Sequence, residues 1–590
     1  MTGQPDLGWQ RQGLEQAAGA GAGAAAVQLE LFTHRFAAIA RQMGERLQRT
    51  AVSTNVKERL DFSCALLDAA GELVVNAPHI PVHLGALGLC VRLTAAALPL
   101  EPGDVAVTNH PGFGGSHLPD VTVITPVFGD AEAGAAVPPP LLGYVASRAH
   151  HAEIGGMRPG SMPPGARCLA EEGVVIPPTY LARRGEARWA ELRRLLLAGP
   201  FPTRSVEENL ADLRAAAAAN HSGAEALRAL AHSASGAGGA GRCGAARGGE
   251  GAGGAGGGAG GPAEDGSRGR RVVAFYMEAL KRRAEERLRA ALARLPRGPL
   301  EAVERLDDGS PLAVRIEIGP AGARIDFAGS AGVHPGNLNA PPAVVRSAVL
   351  YVLRLLVAEP LPLNEGLLRP VVIQVPPGML HPPFPEDPWQ APAVVGGNVE
   401  TSQRLVDTLL KALGLAACSQ GTMNNVLFGN DRFGFYETVC GGAGAGPGFA
   451  GASGVHTHMT NTRITDPEVL EHRYPVRLER FALRSGSGGS GRHRGGEGVV
   501  RELTFLAPMS LSLLTQHRVE APYGAAGGGP GKPGRQRLVR AAGEVLELAP
   551  IAGCEVEAGD RLVLETPGGG GWGPEPPSVE GPDGPCAAPP

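Results

Sequence analysis

The sequence predicts an α+β protein of several domains, with mixed and antiparallel sheets, packed helices and a β-rich C-terminal domain. Three observations predict it. At 590 residues the chain is too long for one core, since domains run to roughly 100–200 residues. Long stretches of helical apolar periodicity alternate with short β-branched runs. Gly 87 and Pro 52 punctuate the chain, and beyond residue 476 only short runs and glycine turns remain.

Residues 1–28 read as a flexible leader, with Ala17–Ala26 as an Ala/Gly linker. From Leu29 to Thr50 the residues Leu31, Phe32, Phe36, Ile39, Ala40, Met43 and Leu47 recur at i, i+3, i+4, which predicts a helix with one buried face. The predicted N-terminal α/β domain spans 29–200. In it Phe62–Leu67 and Glu72–Val75 form a hairpin about the turn Asp68–Gly71, Leu84–Leu98 is a helix, and the strand Asp104–Thr108 runs into the loop His110–His117. Val121–Phe128 and Leu141–Ser147 are β-branched runs separated by Gly129–Pro140. Their simplest pairing is antiparallel, which sets the start of one opposite the end of the other and brings Asp120 near His150 or His151.

Residues 201–299 are predicted helical, through Pro202–His221, Ala224–His232 and Arg271–Leu295. They are interrupted by Gly236–Gly261, with 15 glycines in 26 residues. That tract has too little apolar surface to order itself and reads as a disordered surface insert. A central α/β domain, 300–475, carries a hairpin of Ala313–Ile318 and Ala323–Phe327 with a four-residue loop. It also carries the helices Pro342–Val357 and Glu400–Leu413, the second capped by Asn398. Residues 476–575 form the β domain, and 576–590 a disordered tail.

Lys+Arg 54 against Asp+Glu 58 gives a net charge of −4, without the basic excess of a nucleic-acid binder. No run of 18 apolar residues exists, so no membrane span is expected, and the N-terminus lacks a signal-peptide pattern. Eight dispersed cysteines, none in a CxxC pair, suit reduced thiols in a cytoplasmic protein.

The sharpest local feature is His117-Leu-Pro-Asp120. A His and an Asp three apart after a glycine loop can share a pocket and suit Zn²⁺ or Mn²⁺; taken alone, such a pair is more often a structural hydrogen-bonded one. His150, His151 and Asp61 can reach the same end of the sheet. Asp326, at a strand end before a glycine turn, reads either as an Asx-turn acid or as a general base near the metal. The segments around Asn398 and Asn424 read as tight turns or as cradles for an anion. His456 and His458, alternating on a predicted strand, fit metal or substrate binding as well as satisfied structural histidines. Gly527–Lys532 fails as a P-loop, because Ala526 and Pro533 stand where Gly and Ser/Thr are needed. No GxGxxG opens a helix and no GxSxG is present, so the chain shows no ATP site of its own.

Val56–Ala65, Ala77–Gly85, Asn109–Asp120, Ser147–His151, Ile154–Pro164, Gly396–Gln403, Ser419–Asn425, His456–Arg463 and Thr566–Trp572 together resemble the hydantoinase B family over about residues 29–573. Asn109-His-Pro and Gly115–Asp120 are most similar to the C-terminal half of 5-oxoprolinases. The resemblance implies ATP-dependent opening of a cyclic amide, 5-oxoproline or a hydantoin. A hydantoinase A-type partner would bind ATP and phosphorylate the lactam, giving a hetero-oligomer; related members are subunits of acetone and acetophenone carboxylases, and a non-catalytic assembly subunit is the remaining reading. The resemblance places the ligands of a divalent metal on Asp61, His117, Asp120 and His150, with His151 in reserve. Asp326 and His151 are then the candidates for proton transfer, and Arg148, Asn398, Asn424 and His456 for holding substrate.

Overall fold

A computed structural model of the chain describes residues 22–76, 80–130, 139–236, 262–357 and 359–575. The bulk of the predicted leader, the core of the glycine tract and the C-terminal tail lie outside them. The first helix is Ala22–Thr50, so it begins inside the stretch expected to be leader.

The principal sheet has seven strands in the order β2-β1-β5-β4-β3-β6-β7. They are β1 Phe62–Asp68, β2 Leu73–Asn76, β3 Val105–Thr108, β4 Asp120–Phe128, β5 Leu141–His150, β6 Thr179–Arg183 and β7 Glu186–Ala187. All its pairings are antiparallel. The expected hairpin register holds, with Asp120 opposite His150. Both faces of the sheet are buried. Cys64, Leu66, Val121, Val123, Val145 and Ala149 face the helices Ala22–Thr50, Val206–Gly236 and Pro262–Leu292. Ala65, Leu67, Ile124 and Ala146 face the helix Leu84–Ala97 with Leu87, Cys90 and Val91. This two-residue alternation decides which side chains reach the site described below. The two expected helices of residues 202–232 are one helix, Val206–Gly236, and the helix after the glycine tract is Pro262–Leu292.

A second sheet, β11-β10-β9-β8, holds β8 Leu300–Arg305, β9 Pro311–Gly319, β10 Gly322–Asp326 and β11 Val371–Gln374. Gly319 pairs with Gly322, so the expected four-residue loop is shorter, only Pro320 and Ala321 lying between the paired residues. Helices Pro342–Leu356 and Ser402–Leu413 cover it. A third sheet pairs β12 Asn425–Gly429 and β13 Gly434–Glu437 with β16 Met509–Leu514 and β19 Ile551–Val556, drawing strands from both sides of residue 476. The fourth comprises β14 Val476–Leu483, β15 Val499–Phe505, β20 Arg561–Glu565, β17 Arg535–Val539 and β18 Val545–Glu547. The glycines of Thr566–Trp572 run between other extended segments, bonding Gly569 N to Gly496 O, Gly570 N to Cys418 O and Gly571 N to Gly529 O. A Cβ on Gly569, Gly570 or Gly571 would fall about 2.0 Å or less from a carbonyl oxygen, which is why this run is glycine.

Lys281, on the helix Pro262–Leu292, fastens that helix to the first hairpin. Its buried ammonium contacts Asp68, Glu72 at 2.5 Å and Glu278 at 3.3 Å, and Arg369 also faces Glu72 and Glu278. Burial opposes ionisation of Glu278, but Arg369 and Lys281 outweigh it and hold the carboxyl down to about 2. Lys281→Ala should cost about 2 kcal/mol, less than a fully buried pair, because three partly exposed carboxylates lose the buried cation between them while Arg369 remains. A carboxyl with a depressed folded value stabilises above its ordinary 4.5 and loses that contribution as pH falls toward about 2. The gap between wild type and variant in urea unfolding should therefore close across that acid range.

Candidate functional site

The loop His110–His117 returns the chain from β3 to the start of β4. His110 Nδ1 accepts from Gly112 N at 3.0 Å, and the turn Pro111–Phe113 closes on Gly114 in the left-handed region. His117 and Asp120 therefore emerge together at one end of the principal sheet. On β5, His150 lies opposite Asp120 and shares its face. His150 Nδ1 is 3.2 Å from Asp120 Oδ1, and His117 Nε2 is 3.1 Å from the same oxygen. The three side chains bring ligand atoms within 4.8 Å of one another, all buried.

The polar accounting of this cluster is incomplete within the protein. Neither ring nitrogen of His117 has a hydrogen-bond partner, despite the short approach to Asp120, and His150 Nε2 has none. Leaving such atoms orphaned costs about 1–3 kcal/mol each, so a structural pair that satisfies itself does not describe the geometry. Beside the cluster lies a cavity of about 20 Å³, lined among others by Asp61, His83, Asp120, His150, Asn398 and Tyr436. That is room for one ion or one water. Asn398 Oδ1, also buried and unpartnered, is a further lone pair on a residue of the cavity wall. Burial lowers the His150 pKa and so favours the neutral ring, the form that offers a lone pair. Asp120 is held well below the usual carboxylate range: burial opposes this, and the neighbouring imidazoles of His117 and His83 outweigh it. Orphaned imidazoles around an ionised carboxylate fit a divalent cation of the Zn²⁺ or Mn²⁺ type.

The remaining predicted residues divide. Asp61 lines the cavity, with Arg59 3.9 Å from its carboxylate, but stands outside the close group of three. Asn398 reaches the wall from a π-helical turn, Gly397–Thr401; the expected helix cap is not formed. Arg148, one alternation before His150, bonds Thr122 Oγ1 at 2.8 Å and Gly114 O at 2.9 Å, with Nη1 left over. It buttresses the loop and does not line the cavity. His151 does not join the cluster: strand alternation turns it to the other face, where Nδ1 meets Asn209 Nδ2 at 3.1 Å and burial pushes its pKa down to about 4.

Asp326 is the turn acid, accepting from Ala328 N at 2.9 Å on the second sheet, and takes no part in the cavity. Asn424 spends its amide on Gln420, Val439 O and Arg518. His456 and His458 are not on a strand. The chain there forms a turn in which His458 meets Asp407 at 3.0 Å, and burial takes His456 down to about 4; their neighbours Met459 and Thr460 line the cavity instead. The sequence reading assigned no role to His83 or Tyr436. His83 Nε2 stands 3.2 Å from Asp120 Oδ2, and Tyr436 stacks on His150 with centroids 4.5 Å apart. The segment Ala77–Gly85, which carries part of the family resemblance, is the signal in the sequence that points to His83.

Four sheets with packed helices and a buried His–Asp–His cluster at the end of the largest define an α+β architecture that recurs in known proteins. Residues 25–237 and 266–575 match the Hydantoinase B/oxoprolinase family, and the chain belongs to that family. It is 43% identical to 5-oxoprolinase 1 of Arabidopsis thaliana over 93% of its own length and 42% of the relative's, and 41% identical to the 5-oxoprolinase of Saccharomyces cerevisiae over 92% and 41%. The chain thus spans about two fifths of the length of these relatives. Among solved structures, the ATP-dependent caprolactamase of Pseudomonas jessenii shares the fold with a TM-score of 0.78 at 24% identity, covering 93% of this chain and 92% of that one. A nucleotide-free acetone carboxylase shares it with 0.75 at 16% identity, over 93% and 76%. Among the described residues no helix is long and apolar enough to cross a membrane.

Proposed function

We propose that the chain is the hydrolytic, B-type part of an ATP-dependent cyclic-amide hydrolase that opens 5-oxoproline or a hydantoin. The observation that carries this is the buried His117–Asp120–His150 cluster with its unpartnered imidazole nitrogens, of which Asp120 and His150 line an ion-sized cavity. Family membership and the names of the 5-oxoprolinase relatives support the reaction class. We assign ATP binding and phosphorylation of the lactam oxygen to an A-type partner, a split that the longer 5-oxoprolinase relatives do not themselves show. The dispersed thiols support a reduced, cytoplasmic setting.

An amide carbon is a poor electrophile and its nitrogen a poor leaving group, so prior phosphorylation of the oxygen is what makes attack by water feasible. His117, Asp120, His150 and, on the cavity wall, Asp61 would hold one divalent ion. When bound there it supplies Lewis-acid activation of water at neutral pH. Tyr436, stacked on His150, fixes the plane of that ring. Asn398 Oδ1, unpartnered on the cavity wall, is an acceptor open to a donor of the substrate or to a water on the ion. Ile80, Val82, Val399, Met423 and Met459 line the remaining wall and exclude bulk water, which strengthens these polar contacts.

A second reading, a carboxylase subunit, is favoured only by the shared fold with acetone carboxylase. The test is to purify the chain with and without an A-type subunit and follow ATP hydrolysis against 5-oxoproline, hydantoins and ketones, with and without bicarbonate. The chain alone should hydrolyse neither ATP nor lactam, and the pair should do both without bicarbonate. ATPase activity of the isolated chain would overturn the division of labour, and bicarbonate-dependent consumption of a ketone would favour the carboxylase.

A further inference from the structure

Asp120 uses its two oxygens differently. Oδ1 faces His117 and His150. Oδ2 faces away from them, accepting the Ser116 hydroxyl at 2.5 Å and meeting His83 Nε2 at 3.2 Å. The other ring nitrogen of His83, Nδ1, lies 3.1 Å from Ser63 Oγ. Ser63 comes from β1, opposite Arg148 of β5, and so stands on the sheet face that carries Asp120 and His150. Ile80 N donates to Ser63 Oγ at 3.3 Å, and the alternative acceptor for the serine proton, Ile80 O, is farther at 3.5 Å. One assignment uses every donor once: Ile80 N–H to Ser63 Oγ, Ser63 O–H to His83 Nδ1, and His83 Nε2–H to Asp120 Oδ2. His83, Ser63 and Asp120 are all buried, so bulk water does not compete for these atoms.

From this geometry we infer that His83 is a positioning residue for the metal site: held in its Nε2–H tautomer by Ser63, it fixes Oδ2 of Asp120 and leaves Oδ1 to the ion. A carboxylate free to rotate would present either oxygen, or both, and lose the preorganisation that binding draws on. His83 comes from the turn Pro81–His83 that starts the helix Leu84–Ala97, so it also ties that helix to the site. Two donors on Oδ2 would leave Oδ1, between the two imidazoles, as the oxygen offered to an ion.

The inference rests on the metal reading above, and the experiment separates the two. Mn²⁺ or Co²⁺ affinity, release rate and stoichiometry are measured on the full chain by chelator competition for wild type, His83→Ala, His83→Gln and Ser63→Ala. Absence of stoichiometric metal in wild type would defeat the site itself. Given a wild type that binds one ion, His83→Ala should weaken binding by about 10–100-fold, with one ion still bound at saturation. His83→Gln keeps a side-chain N–H donor and should recover most of that loss. Ser63→Ala frees the tautomer and should fall between them, and it carries the test if His83→Ala does not fold. The Co²⁺ absorption spectrum should change in shape in His83→Ala and return in His83→Gln. Unchanged affinity in both His83→Ala and Ser63→Ala would overturn the inference. So would a loss of stoichiometry in His83→Ala that glutamine does not rescue, since that would make His83 a ligand.

Discussion

Asp120→Ala is expected to lose its divalent metal, with affinity falling at least ~100-fold, past the 10–100-fold that outer contacts typically command. Asp120 is the hub of the cluster: His117 and His150 approach one oxygen, Ser116 and His83 the other. Removing the carboxylate takes away both the anionic ligand and the body that orients its neighbours. The fold should survive, because the cluster sits at the end of a sheet whose two faces are packed independently. Elemental analysis after dialysis, with circular dichroism as the control, reads the result, and equal metal in wild type and variant would sink the site. The same assay ranks the adjacent histidines. His150→Ala should also lose the ion. His151→Ala should keep it, and lose about 1–3 kcal/mol of stability through the one buried Asn209 N–H left without its acceptor. The opposite ranking would mean that the strand phase is misread.

Gly397→Ala should be among the most damaging single substitutions in the chain. An added Cβ would lie 1.9 Å from Asn339 O and 2.3 Å from the carbonyl carbon of Asn339. Backbone cannot retreat as a flexible side chain does, so a loss of about 3 kcal/mol or more is expected, at or beyond the upper end of overpacking costs. The displaced turn carries Asn398 and Val399 of the cavity wall, so metal affinity should fall with it. Gly414→Ala is the control. That glycine has φ +63 with nothing within 4 Å of an added Cβ, so only the left-handed backbone penalty applies, about 1–2 kcal/mol. Urea unfolding midpoints of the two variants distinguish steric exclusion from dihedral strain. Equal midpoints would mean that the Gly397 turn yields easily.

Much of the architecture is local physics and can be read from the chain. Helical periodicity in Leu29–Thr50, the hairpin of β1 and β2, and the antiparallel return from β4 to β5 depend on side-chain period and strand polarity, which neighbours in sequence determine. That is enough to bring Asp120 near His150 or His151. The choice between His150 and His151 is not local. Strand β5 is buried on both faces, so no polar–apolar contrast phases the alternation, and only the helices packed on each side reveal which face holds the site. Asp326 and Asn424 carry the residue types that chemistry uses, yet neighbouring backbone and side chains consume their polar atoms in turns, which a sequence does not display. His83 is the converse case. It lies 37 residues before Asp120, and its role follows from a helix docking on a sheet. What the sequence determined by itself was the long helices, the first hairpin and the antiparallel return that brings residue 120 near residues 150 and 151, because period and polarity travel with the chain. What the tertiary structure decided was which lone pairs remain unspent around Asp120, because that depends on every buried donor and acceptor the fold brings within reach.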